Sequence, residues 1–351
     1  MKQKCPKKEC PPVSTFKKIP HKYLAYENLL KYYYLTIAIP LSSRGKRYRI
    51  RAMTRQEFRW PPPVLPGEVV AVAAPASHVS RPPWEAGMNI LRDWGFRVRC
   101  GPEVFQPRSY GVATDRLMAR RFEEIWLDPG VKAVLAVRGG YGSLKLLPHL
   151  NLAALAAAPK RLMGFSDLTN LLWDLHRRLK LVTFHGPNLA QLPDLTPAAR
   201  EVFYKWLTAA GPQAITYQNL TVLHPGVAAG PLAGGNLTTL CHLVGTPYAP
   251  HMRGYLLFLE DHNEALYRLD RMLHHLLLAR VLDGVKGVVL GSFTHCGSRD
   301  GLLEVLTTAL APLKVPVLMG LPVGHQPDNH TLPLGAWANL DDAAAALTLS
   351  A

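Results

Sequence analysis

The chain has 351 residues, room for two domains of ordinary size, and is 48% hydrophobic, as a globular protein with a sizeable core would be. Its formal net charge of +15 is unevenly placed: residues 1–60 hold 15 Lys/Arg and 3 Asp/Glu, and the rest hold 25 and 22. A nearly balanced body excludes a nucleic-acid-binding module there, and five scattered cysteines, odd in number and without metal or redox spacing, exclude a disulfide framework and suit a reduced compartment.

The basic leader differs in composition from the rest of the chain, being rich in Lys, Tyr and Ile. Its apolar run, Leu35 to Leu41, is far too short to span a bilayer and contains Pro40. It does not read as a secretory signal either, because the basic stretch before it is long and no small-residue cleavage site comes after it. Residues 1–63 are therefore set aside as an extension of low structural value, with Met53 as an alternative start. No other segment has the length and apolarity of a membrane span, so a soluble protein is expected.

From the Pro61-Pro62-Pro63 run onward the pattern is α/β. Val69–Pro75 is a continuous apolar run suited to a strand buried on both faces. A helix over Trp84–Trp94 ends near Gly95, and Phe96–Cys100 is the next strand. Arg116–Leu127 is helical, Val131–Val137 a second buried strand, and Arg161-Leu162-Met163 the end of a third. Leu168, Leu171, Leu172 and Leu175 then have the spacing of one helix face, and Val182-Thr183-Phe184 is a further short strand. Strands alternating with helices imply βαβ units and a parallel sheet. Prolines punctuate 193–231, where the domain junction is placed. Beyond it come strands at Tyr255–Leu259, Val285–Leu290 and Val315–Met319, with a helix presenting Leu266, Leu269, Leu273 and Leu276. The division is an extension (1–63), a first domain (64–210), a linker (211–227) and a second domain (228–351).

Four stretches carry residues fit for chemistry. Ser166, in Met163-Gly164-Phe165-Ser166-Asp167-Leu168-Thr169, stands between a strand end and a helix start. There a hydroxyl is exposed on a sharp turn, next to helix N–H groups that can meet a developing negative charge. This is the idea of a nucleophile elbow without the second glycine of G-x-S-x-G; the plainer reading is an N-cap. Arg138-Gly139-Gly140-Tyr141-Gly142 comes after a buried strand and supplies either an oxyanion-hole N–H or a simple tight turn, and it lacks nucleotide-binding spacing. Glu260 ends an apolar run and so has little structural excuse, whereas Asp261 and Glu264 are placed at the start of the next helix. His325, beside Gly324 past the last strand, has room to meet a hydroxyl. Ser166, His325 and Glu260 together supply nucleophile, base and orienting carboxylate, the needs of acyl transfer. There is no His-Glu-x-x-His pattern, and His274 and His275 are adjacent and diverge on a helix, so no metal or other cofactor is expected.

Taken in order, these blocks together with His185-Gly186-Pro187, Gly234-Gly235-Asn236-Leu237, Tyr267-Arg268-Leu269-Asp270-Arg271 and Gly324-His325 resemble the LD-carboxypeptidase family, serine peptidase family S66, which includes the microcin-C immunity hydrolases. The resemblance covers about residues 64–340 and leaves the leader outside. It implies an N-terminal parallel-sheet sandwich similar to class I glutamine amidotransferases and a smaller, β-rich C-terminal α/β domain, with the site between them. It also implies Ser166 as nucleophile, Glu260 as charge-relay carboxylate, His325 as base, and the N–H groups of Gly140 and Asp167 as the oxyanion hole. Phe165 replaces the family's common tyrosine. Arg138, Gly139 and Tyr141 are the candidate substrate-binding residues; Arg138 either binds the substrate carboxylate or braces the glycine turn. The implied reaction removes the terminal D-alanine from a murein tetrapeptide in cytoplasmic wall recycling, without a metal, in a homodimer. The alternatives are an acyl-sulfamoyl nucleotide hydrolase and, from another class, a non-catalytic binding protein using the basic leader on nucleic acid or an anionic membrane.

Overall fold

The alternation of buried apolar runs with helical segments builds two sheets. The computed structural model describes residues 57–107 and 110–350, all within one compact unit; Leu35–Leu41 and Met53 lie outside them. In the first part, β1 (Val69–Ala73), α1 (Arg81–Asp93), β2 (Arg97–Cys100), α2 (Val112–Leu127), β3 (Val131–Ala136), α3 (Leu152–Ala157), β4 (Arg161–Gly164), α4 (Thr169–Leu179) and β5 (Thr183–His185) succeed one another. Then come α5 (Pro197–Thr208), β6 (Ile215–Tyr217), β7 (Thr221–His224), β8 (Val227–Asn236), α6 (Leu237–Leu243), β9 (Leu256–His262), α7 (Leu266–Leu278), β10 (Gly287–Thr294) and α8 (Arg299–Leu310). The chain ends with β11 (Val317–Met319), β12 (Leu332–Leu334), β13 (Trp337–Asp341) and β14 (Ala346–Leu349).

The first sheet has the order β12-β5-β4-β3-β1-β2, parallel except that β12 runs against β5. The second has the order β6-β14-β13-β8-β9-β10-β11-β7, with β8 to β11 parallel and antiparallel strands on both flanks. The expected mixed α/β class with a parallel sheet and a second, β-rich sheet is what the chain adopts. β1 is buried along its whole length and β3 nearly so, as strands covered on both faces must be. Both sheets bring the carboxyl ends of their parallel strands to the site, where open α/β sheets gather ligands.

Three boundaries differ from the sequence reading. Residues 57–63, assigned to the extension on composition, pack on the body: Phe58 stacks on His176 at 4.2 Å, and Arg59 bridges to Leu181. The buried Arg161 guanidinium holds this segment by donating to the carbonyls of Pro61 and Pro62, and to those of Trp206 and Ala209. The proline-punctuated stretch 193–231 contains a twelve-residue helix, α5, and the strands β6 and β7. β8, whose glycines and alanines carry little strand propensity, is ten residues long. It is central in its sheet, so tertiary pairing overrides composition.

α4 shows the predicted leucine face buried, but Asn170, Asp174 and His176 are buried too, because the helix packs against both β5 and β8. Each leucine withdrawn from water there contributes roughly 1.5–3 kcal/mol. No helix among the described residues is long and apolar enough to cross a membrane.

Candidate active site

Ser166 comes just after β4 and has φ +63°, a left-handed conformation that a serine adopts only when its surroundings enforce it. Such a position costs on the order of 1–3 kcal/mol. The enforcement is visible on each side. Behind it, Phe165 N–H donates to Asn188 Oδ1 at 3.4 Å, and a Cβ on Gly164 would lie 3.0 Å from Ala136, Asn188 and Leu168. Ahead of it, the Asp167 carboxylate accepts from Ser143 N–H at 2.8 Å, its carbonyl accepts from the Ser143 hydroxyl, and Asn170 Nδ2 donates to the Ser143 hydroxyl at 3.1 Å. These bonds join the elbow to the glycine-rich loop after β3. Gly140 in that loop has φ +104°, and a Cβ there would fall 2.3 Å from Ser77 Oγ, so only glycine fits. Its N–H has no acceptor among the described residues.

The second sheet supplies the other two side chains. Glu260 lies within β9, two residues before its end, and is fully buried. Opposite it the β9–β10 register slips between Leu290 and Phe293, a bulge of the kind common beside active sites. At this bulge Ser292 N–H donates to the Val323 carbonyl at 2.8 Å, drawing the loop after β11 toward Glu260. His325 on that loop joins its Nδ1 to Glu260 Oε2 at 2.8 Å. Its imidazole lies between Phe165, 4.6 Å away by ring centroid, and His262, stacked at 4.9 Å and 14°.

Ser166 and His325 line the same two adjoining cavities, of about 330 and 480 Å³, on either side of the serine. No direct hydrogen bond joins the two side chains, a looser spacing that unliganded nucleophile–base pairs often have. The sheets are tied at this point by β8. Gly235, at φ +145°, lets the strand approach α4 so closely that a Cβ would meet Thr169 at 2.7 Å. Asn236 N–H then donates to Thr169 Oγ1 at 3.1 Å.

Other expectations fare differently. Asp261 does not stand at the start of α7. It is buried in β9 and accepts from Asn236 Nδ2 at 3.0 Å, Thr238 N–H at 2.9 Å and Thr238 Oγ1 at 2.8 Å, which places it on the first turn of α6. Successive strand side chains point to opposite faces, so Glu260 turns to His325 and Asp261 to α6. Burial pushes the Asp261 carboxyl up. Glu264 does precede α7, paired with Arg268 at 3.3 Å. Tyr141 is 55% exposed beside Lys145. Gly139 packs its backbone on Ser166, and Arg138 has no hydrogen bond or ion pair to any described residue.

His262 is a site residue that the sequence pattern does not single out, although the alternation in Glu260-Asp261-His262 puts it on the same face as Glu260. Burial, then the neighbouring His325 and His295, lower its pKa, favouring the neutral ring. His185, buried edge-on between Phe165 and Phe258, is pushed down to about 3 by burial and is neutral. Among the described residues no cluster of three His, Cys, Asp or Glu side chains could hold a metal.

The LD-carboxypeptidase N-terminal domain matches residues 70–186, and the LD-carboxypeptidase C-terminal domain matches residues 229–340. A Streptomyces coelicolor protein named as a carboxypeptidase is 39% identical over 301 residues, covering 84% of this chain and 97% of that one. The chain belongs to the LD-carboxypeptidase family. It is a hydrolase of the peptidase type. The murein tetrapeptide carboxypeptidase of Pseudomonas aeruginosa is 34% identical over 286 residues, 78% of this chain and 92% of its own. Among solved structures, the microcin immunity protein MccF in complex with glutamyl sulfamoyl guanosine is similar at a TM-score of 0.76 and 27% identity, over 83% of this chain and 98% of that one.

Proposed function

We propose that the protein is a serine-type LD-carboxypeptidase that releases the terminal D-alanine of a murein tetrapeptide through an acyl-enzyme on Ser166. The observation that carries this reading is the strained serine of one sheet facing, across a shared cavity, the histidine–carboxylate pair of the other.

In the reaction His325 Nδ1–H donates to Glu260 Oε2, which leaves the Nε2 lone pair toward the cavity. Nε2 takes the Ser166 proton as Oγ attacks the carbonyl of the L,D-peptide bond. The N–H groups of Gly140 and Asp167 meet the oxyanion of the tetrahedral intermediate. Nε2–H then passes its proton to the departing nitrogen, the C–N bond breaks, and the D-amino acid leaves. Water, deprotonated by Nε2, attacks the ester, and collapse of the second intermediate returns the proton to Ser166. The buried Glu260 carboxylate stabilises the imidazolium formed at each transfer. No step requires a metal. The reading carries with it a cytoplasmic setting, supported by the dispersed cysteines, and a homodimer, supported by the family resemblance.

Mass spectrometry of the tetrapeptide after incubation with wild-type and Ser166→Ala protein, chelator present, tests it: wild type should yield tripeptide and free D-alanine, and the variant neither. Retention of near-normal hydrolysis by the variant would remove Ser166 from the mechanism. The likeness to MccF favours a second reading, hydrolysis of an acyl-sulfamoyl nucleotide. Offering both substrates to one preparation separates the two.

A further inference from the structure

Ser166 stands at the junction of two cavities whose charges differ. The 330 Å³ cavity is mixed, with Lys145, Asp167, Asp261 and Glu264 in its lining. Its charges are already engaged among themselves or their neighbours: Lys145 with Asp115 at 3.2 Å, Glu264 with Arg268 at 3.3 Å, Asp261 with α6, and Asp167 with Ser143. The 480 Å³ cavity on the other side is lined by no carboxylate among the described residues. Its one arginine is Arg138, which projects from the loop carrying Gly140 and has no anionic partner among the described residues. The Ser80 hydroxyl also lines this wall and caps no backbone N–H of α1.

We infer that the Arg138 cavity receives the leaving D-amino acid and that the Arg138 guanidinium, assisted by Ser80, binds its free α-carboxylate. This rests on the acyl-enzyme reading above and deepens it. A planar guanidinium engages a carboxylate through two parallel N–H···O bonds, which a neutral carboxamide cannot reproduce. With no acid in the cavity lining to compete, the arginine is available to a substrate terminus. Binding that terminus fixes how far the scissile carbonyl lies from the chain end, so the cavity measures out a single C-terminal residue. The mixed cavity is left for the acyl portion of the peptide. Arg138 is thus a specificity-determining residue, and the enzyme cuts at a chain end because that end is charged.

The test compares the tetrapeptide free acid with its C-terminal carboxamide, following kcat/KM for cleavage of the last peptide bond by wild type, Arg138→Ala, Arg138→Lys and Ser166→Ala. Wild type should prefer the acid by about 30- to 100-fold, the size of a lost charge-assisted hydrogen-bonding pair. In Arg138→Ala the acid-to-carboxamide ratio should fall toward one, with the wild-type thermal transition as the control for folding, and Arg138→Lys should recover part of the preference. Equal loss on both substrates, or an unchanged preference for the acid, would overturn the assignment. Cleavage of both peptides by wild type without an acid preference would also overturn it and leave the acyl-enzyme reading standing. Undiminished cleavage by Ser166→Ala would instead overturn the reading beneath it.

Discussion

Replacing Glu260 by Gln removes one charge and almost no volume. In the wild-type protein its fully buried carboxylate meets His325 Nδ1 at 2.8 Å, with Oε1 making no hydrogen bond. The carboxamide oxygen introduced by Glu260→Gln can accept the same Nδ1–H bond, so the ground state changes little. The transition state changes more, because an imidazolium forms beside a neutral amide instead of an anion. With roughly 4 Å between charge centres and an effective dielectric of about 20, the lost attraction is about 4 kcal/mol. That corresponds to about three decades in rate. Steady-state kcat from coupled detection of released D-alanine should therefore fall about 10³-fold for Glu260→Gln, with KM nearly unchanged and the thermal transition shifted by only a few degrees. A kcat within about tenfold of wild type, in a folded variant, would refute the proposal that Glu260 stabilises a developing imidazolium.

Other outcomes rest on the same structure. His176, buried against Phe58, has its pKa pushed down to about 3 by burial, from 6.5. The unfolded chain thus binds a proton that the folded one refuses, so the stability contributed by the neutral ring is complete above pH 6.5 and is lost as pH falls toward 3. Urea unfolding of His176→Gln should accordingly show a pH slope below 6.5 that is shallower than wild type by about 1.4 kcal/mol per unit, and identical slopes would mean that His176 is protonated in the folded protein. Gly235→Ala would place a methyl 2.7 Å from Thr169 at φ +145°. It should lower stability by at least about 2 kcal/mol and reduce kcat as the Asn236–Thr169 bond is strained, and an unchanged urea midpoint would contradict this. Removing residues 1–53, which precede both family matches, should leave tetrapeptide hydrolysis within about twofold; a salt-sensitive loss of function would favour the binding-protein reading instead.

Much of this architecture is legible from residue pattern because its signals are local. Val69–Ala73 and Val131–Ala136 are buried runs bounded by turn residues, and the serine after β4 sits where strand gives way to helix. What stays hidden depends on contacts distant in sequence. β8 is a strand because β9 and β13 pair with it, despite its glycines. Phe58 and Trp60 belong to the body because the buried Arg161 needs carbonyls near them and because Trp206 and His176 offer ring faces. β12, from the last tenth of the chain, completes the first sheet beside β5, a pairing no local pattern announces. At the site, the loop glycines mark where backbone approaches its neighbours, but the alliance of Asp261 with α6 needs the strand's register.

The central claim is that one serine carries the acyl group between two chemical steps. Rapid acid quench of the enzyme with excess tetrapeptide, then intact-protein and peptide mass spectrometry, looks for that species directly. The expected result is a transient adduct equal in mass to the tripeptidyl acyl group, confined to the segment containing Ser166 and absent from Ser166→Ala. Turnover by wild type with no adduct at any quench time, accompanied by turnover in Ser166→Ala, would contradict the account.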